Sequence, residues 1–67
     1  MSDPVYQKTQ WVGTSTQSFS EAVAAAVAKA AESVPNLAWF EVVEHRGNIV
    51  QGKIQQFQAT ILVGARI

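Results

Sequence analysis

Few side chains in this 67-residue chain are equipped for chemistry, and their types narrow what it could do. The carboxylates are Asp3, Glu21, Glu32, Glu41 and Glu44, the lone histidine is His45, and cysteine is absent from the sequence. These acids are scattered over tail, helix and strand, with no two spaced as an acid–base pair. His45 has no serine or cysteine nucleophile placed to use it and reads as a solvated residue near a strand end. One histidine and no thiolate leave zinc without a ligand set. The stretch GTSTQS lacks the glycine spacing and the lysine of a phosphate-binding loop. The expectation is a binding or structural protein, not an enzyme.

The residue that asks for a role is Trp39, set among charged neighbours in NLAWFEVVEHRG, Asn36 to Gly47. An indole there could be core, the inside of an assembly, or a platform for a flat ligand. Arg46 and Arg66 are the candidate anion contacts, although solitary arginines are commonly solvated. The balance of five basic against five acidic residues offers no basic stripe for a phosphate backbone, so nucleic acid is not an expected partner. No run approaches the ~20 apolar residues of a membrane helix. MSDPVYQK does not read as a secretory signal, and a soluble cytoplasmic protein is expected.

Positioning these residues falls to few elements. VYQKTQWV, Val5 to Val12, bounded by Pro4 and Gly13, has the composition of a strand. In SFSEAVAAAVAKAAESV, Ser18 and Glu21 have capping-box spacing: the hydroxyl accepts from the Glu21 N–H and the carboxylate reaches back. Apolar residues at Phe19, Val23, Ala26, Val27, Ala30, Ala31 and Val34 form one helical face. Pro35 disfavours helical geometry at Val34 and ends the helix near Ser33. A second strand is expected over Ala38–Arg46 and a third over Lys53–Ile67, with Gly47–Gly52 as a loop. The order β-α-β-β predicts an α+β fold: a small three-stranded antiparallel sheet wrapped on one helix, as a single domain over 1–67 with a flexible tail at 1–4.

Alternation divides the strands into faces. Phe57, Ala59, Ile61, Val63 and Ala65 should meet the helix, with Phe40 and Val42 beside them. Trp39, Glu41, Val43 and His45 should point away, as should Gln58, Thr60 and Leu62. A loop symmetric about Ile49 and Val50 places Trp39 opposite Thr60 and Glu41 opposite Gln58. Trp39 and Gln58 are then diagonal neighbours, about 7–8 Å apart at the backbone. An outward Trp39 fits a subunit interface, or a stacking platform with Gln58 as its polar partner. An alanine-rich helix supplies little apolar bulk, and a chain this short without disulfides or metal is expected to be stabilised by oligomerisation.

YQKTQWVGTSTQSFSEAVAAAVAKA, NLAWFEVVEHRGNI and GKIQQFQATILVGARI, in this order and spacing, resemble the dodecins, small flavin-binding proteins of bacteria and archaea. The resemblance runs from about Val5 to Ile67. It implies a β-α-β-β fold whose sheet curls round the helix, and a hollow homododecameric shell with cubic symmetry. It further implies flavins bound in antiparallel pairs at two-fold interfaces, sandwiched between symmetry-related tryptophans. Trp39 matches that tryptophan, and Gln58 the glutamine that hydrogen-bonds the pyrimidine edge. Arg46 matches an arginine near the phosphate of flavin mononucleotide (FMN), and Arg66 a basic residue of the C-terminal motif. Phe57 departs from the usual tyrosine, and Ala65 from a phenylalanine. The function so implied is storage and light protection of FMN or riboflavin; the alternative is a purely structural shell.

Overall fold

A computed structural model of the chain describes residues 3–67. The expected flexible tail at 1–4 thus lies partly outside the described residues. The elements are β1 (Tyr6–Ser15), α1 (Phe19–Ser33), β2 (Leu37–Val50) and β3 (Lys53–Arg66). They form one antiparallel sheet in the order β1-β3-β2, with α1 on one face. The α+β architecture and the β-α-β-β order are those read from the sequence. Because β3 inserts between β1 and β2, the three strands make a split β-α-β unit. Taking the central place suits β3, the strand with the longest apolar alternation.

The helix begins as its cap dictates. Ser18 is extended (φ −165°, ψ 163°) and its Oγ accepts from the Glu21 N–H at 3.1 Å. The reciprocal half of the box is replaced: the Ser18 N–H donates to Ser15 Oγ (3.4 Å), and Ser15 Oγ donates to the Glu21 carboxylate (3.4 Å). Ser15 at the end of β1 therefore couples strand to helix. At the other end Val34 is extended before Pro35, and Asn36 takes a left-handed φ of 61° to turn the chain into β2.

The helix meets the sheet through alanine. Ala22, Ala26 and Ala30, one per turn, are buried, as are Ala59, Ile61, Val63 and Ala65 of β3, and Ala26 and Ala30 pack with Ile61 and Val63. Val23 and Val27 lie at the margin of this cluster, not at its centre, and Ala22, not Phe19, is the first buried residue of the helix. Gly13 permits the close approach, since a Cβ there would overlap the Ala22 carbonyl oxygen and lie 2.9 Å from Ala26 Cβ. The glycine expected to close β1 therefore lies inside it, and the strand runs on to Ser15.

The β2–β3 connection departs from expectation. The strands continue to a two-residue turn at Gln51 and Gly52, both with positive φ (52° and 76°), as in the mirror-image turns that match strand twist. The wide loop over Gly47–Gly52 does not exist, and the register moves. Trp39 lies opposite Gly64, Phe40 opposite Val63, Glu41 opposite Leu62 and Val42 opposite Ile61. A bulge at Val43 then shifts the pairing, so that Glu44 faces Thr60, His45 faces Ala59 and Arg46 faces Gln58. The expected adjacency of Trp39 and Gln58 is overturned. The bulge also turns His45 to the helix side, where its ring lies 4.7 Å from that of Phe19.

The helix covers β1 and β3 and scarcely reaches β2. Consequently the helix-side residues of β2, Phe40 and Val42, are 52% and 40% exposed. The molecule is long, 58 × 19 × 14 Å, with a radius of gyration of 14.1 Å; a compact chain of this length would have about 11 Å. Its accessible surface is 4851 Å², against about 4,200 Å² for a typical folded monomer of this mass. The small core and the surplus surface are two sides of one fact: much of the apolar sheet has no cover among the described residues.

Candidate functional site

The sheet face opposite α1 carries the residues singled out by type. Opposed positions in an antiparallel pair share a face, so this face is built from Tyr6, Lys8, Gln10, Val12 and Thr14 of β1, alternate residues of β3 from Gln56 to Arg66, and Trp39, Glu41, Glu44 and Arg46 of β2. Trp39 and Arg46 differ by seven positions and would point to opposite faces of a regular strand. The bulge at Val43 restores Arg46 to the Trp39 face.

Trp39 lies flat on the sheet. A Cβ built on Gly64 would sit almost equally close to Cε2, Cζ2 and Cη2 of the indole, the last at 2.6 Å. Near-equal approach to three successive ring atoms means the face of the six-membered ring, not its edge. One face of the indole therefore covers Gly64. Tyr6, across β3, leans on it with ring centroids 5.1 Å apart and an interplanar angle of 51°. Lys8 and Glu41 form an ion pair that crosses β3 beside it. Both side chains are about half exposed, so the pair contributes ~0–1 kcal/mol and serves mainly to define the surface. With 41% of its surface still accessible, Trp39 presents its second face outward.

Gln58 and Arg46 form a second group on the same face, directly opposed across the strands. The Gln58 amide donates to Gln56 Oε1 at 3.0 Å, and Arg46 lies 3.9 Å from the Glu44 carboxylate in a loose, exposed pair. Gly64 and Gln58 are six residues apart on β3, hence about 20 Å at ~3.4 Å per residue. Arg66 belongs to the Trp39 end, opposite Tyr6. The four residues expected at the site thus share one face but fall into two groups, Trp39 with Arg66 and Gln58 with Arg46.

Tyr6 and Gly64 were not among the residues singled out from sequence. The trace of Gly64 was there, because a glycine inside an apolar central strand signals a close approach. Tyr6 left none, since its place beside Trp39 depends on the β1–β3 register. The other face carries a groove of about 370 Å³ between α1 and β2, lined by Phe19, Ser20, Val23, Phe40, Val42 and His45. It is apolar, and the histidine is its single ionisable group. Among the described residues no cluster of His, Asp or Glu is arranged to hold a metal, and no helix is long and apolar enough to cross a membrane.

The sequence matches the dodecin family model over residues 5–67. It is 40% identical over 63 residues to the dodecin of Thermus thermophilus, covering 94% of this chain and 91% of that protein. The fold superposes on the dodecin of Streptomyces davaonensis with a TM-score of 0.93 at 39% identity, covering 98% of this chain and 97% of the other. It superposes equally well on the dodecin of Streptomyces coelicolor, with a TM-score of 0.93 at 37% identity over 100% and 96% of the two chains. Sequence and fold agree, and the chain belongs to the dodecin family.

Proposed function

We propose that this protein binds flavin, as FMN or riboflavin, in a homododecameric shell, and that it stores the flavin and suppresses its light-driven chemistry without catalysing a reaction. The observation that carries the reading is the flat indole of Trp39, with one face on Gly64 and the other turned outward. Isoalloxazine is flat and electron-poor, and an electron-rich indole is a suitable stacking surface for it. Close stacking also opens electron transfer from indole to the excited ring, which quenches flavin emission.

Gln58 offers one acceptor and two donors to the flavin imide and its carbonyls, and Arg46 beside it suits a phosphate tail. At about 20 Å from Trp39 along β3, Gln58 cannot reach the edge of a ring stacked on the same subunit's indole. The site is therefore shared, with the platform from one copy and the hydrogen-bonding edge from another. Such sharing fits a chain whose apolar β2 surface needs a neighbour. Arg66 remains near the platform as a second anion contact.

A structural shell without flavin is the second reading. It draws on the bare Phe40–Val42 surface, which concerns assembly alone. Riboflavin fluorescence separates the two. Titration with the wild-type protein should quench the emission strongly, and Trp39→Ala should abolish most of the quenching. Full emission in the presence of saturating wild-type protein would leave only the structural shell.

A further inference from the structure

We propose that Gly64 and Tyr6 are positioning residues for Trp39, fixing the height and tilt of its indole so that each subunit offers one aromatic plane to one flat ligand. This deepens the reading of Trp39 as a flavin platform and rests on it. Gly64 sits in the most buried strand of the fold, between Val63 and Ala65, where a larger residue would add packing and a glycine weakens the strand. Its φ is not positive, so no turn or unusual backbone geometry demands glycine. The space above it is what demands it, because that space is filled by the indole face.

A methyl group there would meet Cη2 at 2.6 Å and the two preceding ring atoms closer still. Ordinary carbon contacts are ~3.5–4.0 Å, so the ring would have to lift by about 1 Å or tilt. The obstacle below is backbone, which cannot move aside without disturbing both β-ladders. Tyr6 supplies the lateral constraint: its tilted ring, 5.1 Å from the indole, stops the platform from rolling toward β1. The Lys8–Glu41 pair lies alongside, where Lys8 is the β1 partner of Gly64. Stacking depends on parallel planes at a fixed separation, so lift and tilt act directly on the bound ligand.

The test uses the full chain with Trp11→Phe, which leaves Trp39 as the sole indole. Riboflavin affinity, near-ultraviolet circular dichroism of the ligand-free protein and sedimentation mass are measured on each variant. Gly64→Ala is expected to weaken riboflavin roughly tenfold and to change the Trp39 dichroism, with the mass unchanged. Tyr6→Leu is expected to weaken it roughly three- to tenfold, while Tyr6→Phe, which keeps the ring, binds as the parent does. Parent-like affinity and dichroism in Gly64→Ala, or equal affinities for Tyr6→Leu and Tyr6→Phe, would overturn the proposal. Should Gly64→Ala not fold, the two Tyr6 variants decide. Should the parent bind no riboflavin, it is the flavin reading that fails. The ligand-free dichroism of the same variants then still reports whether Gly64 and Tyr6 hold the indole.

Discussion

Phe40→Ala asks whether the bare helix-side surface of β2 is covered by another copy. Phe40 is 52% exposed within the chain and borders the apolar groove above Val42 and His45. A phenylalanine carries about 150–250 Å² that can be buried, so close to 100 Å² of Phe40 awaits a partner. At ~25 cal/mol per Å², covering that area contributes about 2.5 kcal/mol per subunit. If the face stays in water, replacing the ring costs only the difference in strand preference, under ~1 kcal/mol. For a domain of this size ~1 kcal/mol shifts the melting temperature by about 4–8 °C, so a covered face predicts a fall of about 10–20 °C in Phe40→Ala. Thermal melts followed by circular dichroism at several protein concentrations, with sedimentation mass as a second reading, make the measurement. The covered face also predicts a melting temperature that rises with concentration, by mass action. A fall of less than ~4 °C with unchanged mass would refute the inference that this surface is an interface.

Three further outcomes follow from local geometry. Arg46→Ala should weaken FMN by about ten- to a hundredfold while leaving riboflavin nearly unchanged, because a charge-assisted contact to phosphate is worth ~1.5–3 kcal/mol; if Arg66→Ala shows this split instead, the phosphate lies at the Trp39 end. Gly13→Ala should lower stability by ~1–3 kcal/mol or more in denaturant titration, since the new methyl meets the helix backbone at Ala22 and Ala26. Ser18→Ala removes the 3.1 Å cap to Glu21 and should cost ~1 kcal/mol, read as a melting shift of about 4–8 °C.

What the sequence determined by itself is local or periodic. Ser18, Glu21 and Pro35 marked both ends of the helix because capping and proline sterics act over a few residues. Alternation in Phe57–Ala65 identified the buried face of β3 because side chains on a strand must alternate. The same alternation sent Trp39 to the far side, and the structure agrees. The ordered motifs from Val5 to Ile67 carried the family, which the family match and the structural neighbours bear out.

Tertiary structure decided everything that depends on register. A two-residue turn at Gln51 and Gly52, in place of a loop, slid β2 along β3 and put Gly64, not Thr60, beneath the indole. Gln51 has none of the usual turn preference for a positive φ, and so gave no signal. The bulge at Val43 reversed His45 and Arg46, since one extra residue flips every side chain beyond it. Residue types alone foretell neither event, because both depend on how β2 pairs with β3 along the whole hairpin. The residues of the site were therefore legible one by one. Their division into an aromatic platform and a distant polar edge, joined only between copies in the proposed assembly, was legible only from the folded sheet.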